Sequence, residues 1–402
     1  MDMFLCSKHF VRLPKFPKLR KSFHLKGRSV WPDDVMKDNP KNSRLAAKAR
    51  RHEAPLRIKT LSVALLLGGA MLSMGLWGCK GGLPEGLGSL SEVVVLTDST
   101  DWDACGDAVE AVFGRTVHTP EWEPIFALRM GDAAKFDFFK SWRNVFLLAS
   151  LEGGGEATRL VRSLLSPEVL ERIGQGEAYV FFKTEVWAKD QILVIAAARD
   201  RFALRQKLVE DQDAIFTTME GHLNRRVGEW LYAEGEQEAL EQALFEQFGW
   251  TLRIPAGYAV QKKVPEEGFV WLRKRAPDRW LFVWWGAAFE GMELSGDWFR
   301  EKRDEIGRLF YEGDSVARIL SVEETLVAEW PAIRVRGLWA NREKAVGGPF
   351  VSTCFIDRDT DRVYIVDGAV YAPGVQKAPY LRQVDLIART FSTKPPERDH
   401  PR

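Results

Sequence analysis

The chain has 402 residues, 46% hydrophobic and 28% charged, with four cysteines and a formal net charge of +1. Such a composition belongs to a folded protein large enough for two domains, and excludes a disordered chain or a small disulfide scaffold. The net charge averages unlike parts: residues 1–59 hold 16 Lys and Arg against 5 Asp and Glu, residues 60–79 hold none, and residues 80–402 hold 41 against 51. An acidic body of that kind argues against general nucleic-acid binding, which needs a basic surface to neutralise phosphates.

Residues 1–56 are rich in Lys, Arg and Pro and show no sustained helical or strand period, so a disordered basic extension is expected. Two explanations stand open: a start codon assigned too far upstream, or a cytoplasmic arm suited to an acidic membrane surface. Residues 57–78 read as a lipoprotein signal peptide. Arg57 and Lys59 precede LSVALLLGGAMLSMGLWG, an apolar run of 18 residues, where a spanning helix needs roughly 20. The run closes on Leu76-Trp77-Gly78-Cys79, which resembles the lipobox of bacterial lipoproteins. That resemblance implies a diacylglyceryl group on the Cys79 sulfur, cleavage before Cys79 and acylation of the new amino group. Trp77 departs from the small residue usual at its place. A retained signal anchor is the alternative, and both readings put the body outside the cytoplasm. Lys80 rather than Asp follows the cysteine, which by the same resemblance implies the periplasmic face of the outer membrane. Residues 79–91 are then expected to be a lipidated, Gly-rich tether that stands off from the fold.

Two α+β domains are expected, 92–249 and 250–391, each a mostly antiparallel sheet with packed helices, before a disordered tail at 392–402. In the first, VVVL (93–96) reads as a buried strand, 104–113 as a helix, IFALRM (125–130) as a strand and 133–142 as a short helix. NVFLLASL (144–151) is a strand, and 179–198 a hairpin about Lys189-Asp190. An apolar stripe from Leu204 to Leu231 predicts one long helix with a break near Gly221, and Gln237–Phe248 a second, closed by Gly249. In the second half, 269–275 and 280–288 form a hairpin, Ser295 opens a helix over 295–311, and three strand runs follow before a closing helix at 380–391.

This second-half order, with TLRIPAGY ahead of the hairpin, resembles the Mog1/PsbP-type α/β/α sandwich. Across 92–390, EVVVLTD, GDAVEAVFG, SWRNVFLLASL, VWAKDQIL, FVWLRKRAPD, REKRD, AIRVRGLWAN, GGPFVS and DGAVYAPGVQKAPYLRQ are similar to an uncharacterised family of bacterial outer-membrane lipoproteins, known as a domain of unknown function. The resemblance implies a lipoprotein and assigns no catalytic residue.

Arg334 and Arg336 alternate with apolar residues in IRVRGLW, so both leave one strand face, with Trp339 nearby; together they are the candidate binding residues, for an anionic or sugar ligand. Pairing across strands with Glu323, Glu324 or Glu329 would account for the arginines equally well. Glu301, Asp304, Glu305 and Glu329 could supply paired carboxylates for glycan hydrolysis, although the first three fit the exposed face of a helix. Asp357, Asp359 and Asp361 resemble the start of a calcium loop but lack its Gly and its closing Glu, which makes them turn residues. Cys105 and Cys354 read as buried free thiols, and His118, His222 and His400 have no metal spacing. Adjacent Trp284 and Trp285 must face opposite sides of a strand. The expected function is therefore a non-enzymatic, membrane-anchored binding or assembly module for an envelope protein or glycan, without a cofactor; a glycan hydrolase is the alternative.

Overall fold

The computed structural model describes residues 82–396, except 178 and 312. The extension 1–56, the signal stretch 57–78, Cys79 and His400 lie outside the described residues. Among these, no helix is long and apolar enough to cross a membrane.

In the first half, β1 (Glu92–Thr97) leads through α1 (Ser99–Phe113) and a small hairpin, β2 (Thr116–His118) and β3 (Trp122–Pro124), to β4 (Ala127–Asp132). The one-turn helix α2 (Phe136–Phe139), β5 (Asn144–Ser150), α3 (Glu156–Leu164), α4 (Pro167–Gly174), β6 (Val180–Thr184) and β7 (Ile192–Ala198) follow. The five-stranded sheet has the order β4-β1-β5-β7-β6. The class is α+β as expected, but this sheet differs from the antiparallel one anticipated: β4, β1, β5 and β7 run parallel, and β6 alone opposes its neighbour. The cause lies in the strands themselves. All seven residues of β5 and of β7 are buried, so both faces need cover, and helical crossovers supply it. Val94, Leu96, Val145, Leu147 and Ile195 pack under α2, α3 and α4. Val93, Val95, Phe146 and Val194 face α1 and the two helices that follow the sheet.

Those two are α5 (Arg201–Glu210) and α6 (Gln212–Tyr232), and α7 (Glu238–Phe248) comes next. The long stripe breaks at Asp211, and α6 runs through Gly221, where the break was expected. Gly249 closes α7 at φ 77°, a left-handed conformation that a β-carbon would strain.

The second half is a seven-stranded antiparallel sheet, ordered β11-β12-β13-β14-β10-β9-β8. Its members are β8 (Ala259–Val264), β9 (Phe269–Lys274), β10 (Asp278–Ala287), β11 (Ser315–Val327), β12 (Trp330–Asn341), β13 (Val346–Asp357) and β14 (Arg362–Tyr371). Helix α8 (Gly296–Phe310) starts where the Ser295 hydroxyl accepts the Trp298 N–H at 3.1 Å, and covers the outer face over Phe282, Phe350 and Ile365. Helix α9 (Ala378–Ala388) covers the inner face, its Leu381, Val384 and Ile387 lying on Val351, Tyr364 and Val366. Each such side chain, once buried, contributes about 1.5–3 kcal/mol. The two sheets fall on either side of residue 250, yet one apolar cluster runs from the inner face of each through α6, α7 and α9.

Both ends of the body differ from expectation. Residues 84–90 do not stand off: the Lys189 N–H donates to Pro84 O at 2.8 Å, the Leu87 N–H to Ser141 O at 2.8 Å and the Arg143 N–H to Leu87 O at 2.9 Å. Ser392, assigned to the disordered tail, exchanges two backbone hydrogen bonds with Thr251, at 2.8 and 3.0 Å, beside buried Phe391.

Candidate anion-binding face

Along β12 the side chains alternate. Arg334 pairs in register with Thr353 and Arg336 with Val351, on the side that faces α9. Val335 and Trp339 are on the opposite side, in the cluster under α8. Trp339 is therefore not a neighbour of the two arginines: an odd offset of three or five residues along a strand reverses the face. It is buried, its indole N–H donates to Val370 O at 3.3 Å, and it meets Trp280 edge-on at 5.2 Å.

The two arginines also part company. Arg334 is nearly buried and ion-paired with Asp385 of α9, whose other oxygen takes Arg389 at 2.9 Å. Burial pulls the Arg334 guanidinium below its ordinary pKa, and Asp385 pulls it back. Its task is to fasten α9 to β12, rather than to pair with a strand glutamate. Arg336 is half-buried, faces Ser321 on β11, and has no carboxylate partner among the described residues. Arg318 on β11 stands opposite Leu338, hence on the same side as Arg336, and also lacks an acid partner among the described residues.

The third component comes from the β2–β3 hairpin, which sequence reasoning missed because TVHTPEWEP is short and shows no sustained alternation. Glu123 fixes its position. That buried carboxylate accepts the Thr119 hydroxyl at 2.8 Å and the N–H groups of Lys377 and Ala378 at 2.8 and 2.7 Å, so the hairpin is clamped to the start of α9. The clamp brings His118 within electrostatic reach of Arg318, and His118 stacks on Trp122 at 4.4 Å. Burial, then the Arg318 charge, lowers the His118 pKa, so the ring is neutral at pH 7. Its Nδ1 is buried without a hydrogen-bond partner, while Trp122 is 68% exposed. Arg318 and Arg336 thus share one sheet face without acid partners among the described residues, and Arg318 lies within reach of a neutral imidazole stacked on an exposed indole. On the same strand face the Ser321 hydroxyl donates to Glu323 at 3.0 Å. Such a set can bind an anion and stack on a ring.

Of the carboxylates singled out from sequence, Glu301 is exposed on α8 and the others make local contacts. Asp304 accepts the Val316 N–H at 2.6 Å, Glu305 pairs with Lys302, and Glu329 lies 3.9 Å from Lys394. Glu305 borders an open hollow of 470 Å³ with Glu266, Glu267, Asp361, Trp284 and Phe310. Asp357 is buried and accepts the N–H groups of Asp359 and Thr360 within the β13–β14 turn. Cys105 and Cys354 are buried free thiols whose pKa values burial raises, that of Cys105 to about 11. Trp285 packs inward on Trp250 and Trp284 packs on the α8 side, the opposed facing expected of them. No group of three or more metal-ligating side chains occurs among the described residues.

Two three-layer halves, joined through common helices and carrying this basic–aromatic face, define the structure. Residues 86–229 match the family model of one domain of unknown function, DUF8532, and residues 237–390 that of another, DUF4837. The gap between the matches falls at the turn between α6 and α7. No curated protein matches the chain. Among solved structures, cyanobacterial PsbP (CyanoP) from Synechocystis sp. PCC 6803 is 12% identical, with 36% of this chain and 86% of that one covered at a TM-score of 0.29. The Saccharomyces cerevisiae Ran-binding protein Mog1p is 12% identical, with 36% and 90% covered at 0.28.

Proposed function

We propose that the chain is a lipid-anchored, non-catalytic module of the cell envelope, held by Cys79 on the periplasmic face of the outer membrane, that binds an anionic glycan at Arg318, Arg336, His118 and Trp122. The observation that carries this reading is the pair of guanidinium groups without an acid partner beside an exposed, stacked indole. Guanidinium matches carboxylate or phosphate in a bidentate fashion, and an indole face covers the apolar face of a sugar ring. The lipobox-like Leu76-Trp77-Gly78-Cys79 supports the anchor. Hydrolysis is the weaker reading, because Asp304 and Glu305 are each engaged elsewhere and Glu301 and Glu329 stand exposed.

Titration with polygalacturonate, with neutral dextran as control, tests the binding. The reading expects binding of the acidic polymer alone, with R336A weakening it about tenfold, the worth of one charged hydrogen-bonded contact. W122A should weaken it too. Equal binding of both polymers, or indifference to R336A and R318A, would refute the assignment. Mass spectrometry of the membrane-extracted chain should find an acylated Cys79 at its amino terminus.

A further inference from the structure

The end of the body at which the described chain begins carries a patch that the binding reading leaves unused. Residues 84–90 are bonded to the loop after α2 and to the turn before β7, so the chain has no slack beyond Pro84. Arg143 adds a guanidinium bond to Gly88 O, and Asn144 Nδ2 donates to Leu90 O at 3.0 Å. Only five peptide steps separate Pro84 from Cys79, which at full extension span about 18 Å. Exposed apolar side chains gather here. Phe138 is 61% exposed at the end of α2, Leu87 is 51% exposed, and Leu83 adjoins Pro84. Phe136 and Trp187 meet edge-on at 5.1 Å behind them.

Charge at this end is balanced locally. Lys140 pairs with Asp137 at 2.7 Å, Lys189 with Glu85 at 2.9 Å, and Arg129 with Glu92 at 3.4 Å. A neutral patch with protruding Phe and Leu has the chemistry of the headgroup–acyl boundary, where apolar side chains sit a few ångströms deep. A purely electrostatic membrane contact would instead need an excess of Lys or Arg.

The geometry points to a second membrane contact: Phe138, Leu87 and Leu83 insert into the bilayer surface beside the anchor, so that the amino ends of β1, β5 and β7 face the lipid. The inference rests on acylation of Cys79. Given that, a tether of at most about 18 Å keeps this end at the surface. The opposite end of β5, at Glu152, then points away by about 20 Å, the rise of its strand. The body is fixed in orientation rather than swinging on a leash.

The test uses the full chain, extracted from membranes and reconstituted in vesicles that contain a lipid-borne fluorescence quencher. Phe138→Cys and, separately, Glu152→Cys variants carry a bimane label; Cys105 and Cys354 are buried and do not compete for it. The expected result is loss of fluorescence at position 138 and none at 152, the same in neutral and in anionic vesicles. Equal brightness at both positions on a chain with acylated Cys79 overturns the orientation and leaves the anchor standing. Quenching confined to anionic vesicles overturns insertion in favour of charge. An unmodified Cys79, read by mass spectrometry in the same sample, overturns the anchor and this inference with it.

Discussion

Arg303 of α8 and Asp367 of β14 form a buried ion pair whose removal has a calculable cost. Asp367 is fully buried and Arg303 is 6% exposed at its side chain. The carboxylate accepts Arg303 Nε–H at 2.8 Å, Nη2–H at 3.3 Å, and the Ser352 hydroxyl. The guanidinium also lies 4.1 Å above the Phe350 ring. Arg303→Met keeps the apolar stem and deletes the charge, leaving Asp367 with the Ser352 hydroxyl alone in a closed interior. Breaking such a pair from one side costs about 3–5 kcal/mol, because the survivor keeps its desolvation penalty. Replacing both partners, R303M with D367L, should recover most of that loss and leave about 1 kcal/mol for the orphaned Ser352 hydroxyl. Urea unfolding followed by tryptophan fluorescence measures both variants. A single variant that loses less than about 1 kcal/mol, or a double variant as unstable as the single, would refute the claim that the pair is closed to water.

Three other outcomes follow from described contacts. Glu241 is buried and accepts the Ile254 N–H at 2.5 Å; burial pushes its pKa up to about 7, with the nearby Glu236 adding to the rise. A carboxyl raised in the folded state favours folding while protonated, so its contribution is complete below about pH 4.3, the unfolded value, and is lost as pH climbs through 7. E241Q should flatten stability against pH over that window and exceed the parent at pH 8, as denaturant midpoints will show. At Gly307 in α8 an added β-carbon would meet Asp314 O at 1.7 Å, so G307A should cost about 3 kcal/mol or more, read as a fall in the unfolding midpoint. Arg318→Ala should move the His118 titration midpoint upward, since that guanidinium helps to depress it, and NMR of the imidazole will follow the change.

Much of the fold was legible because local signals agreed with it. The Ser295 cap, the Gly249 stop and the alternation of β12 all stand where the residues place them. What failed was what depends on partners. NVFLLAS and ILVIAAA were readable as strands, and their unbroken apolar runs already implied cover on both faces; the antiparallel expectation took too little account of that. The site was half legible. Arg334 and Arg336 do share a face, but parity alone separates Trp339 from them. Trp122 and His118 could not be placed beside them, because only the Glu123 clamp onto α9, some 250 residues later in the chain, brings the hairpin there. That Arg334 is committed to Asp385 was equally beyond reach of local pattern.

The position of α9 has a consequence for biosynthesis. It follows all seven strands of the second sheet in the chain, and it roofs their inner face. A nascent chain therefore shows Val351, Val366 and Leu281 to its surroundings until α9 has been made. Closure of that face must wait for α9 to clear whichever machine is delivering the chain, and any holding chaperone has the bare sheet as its handle.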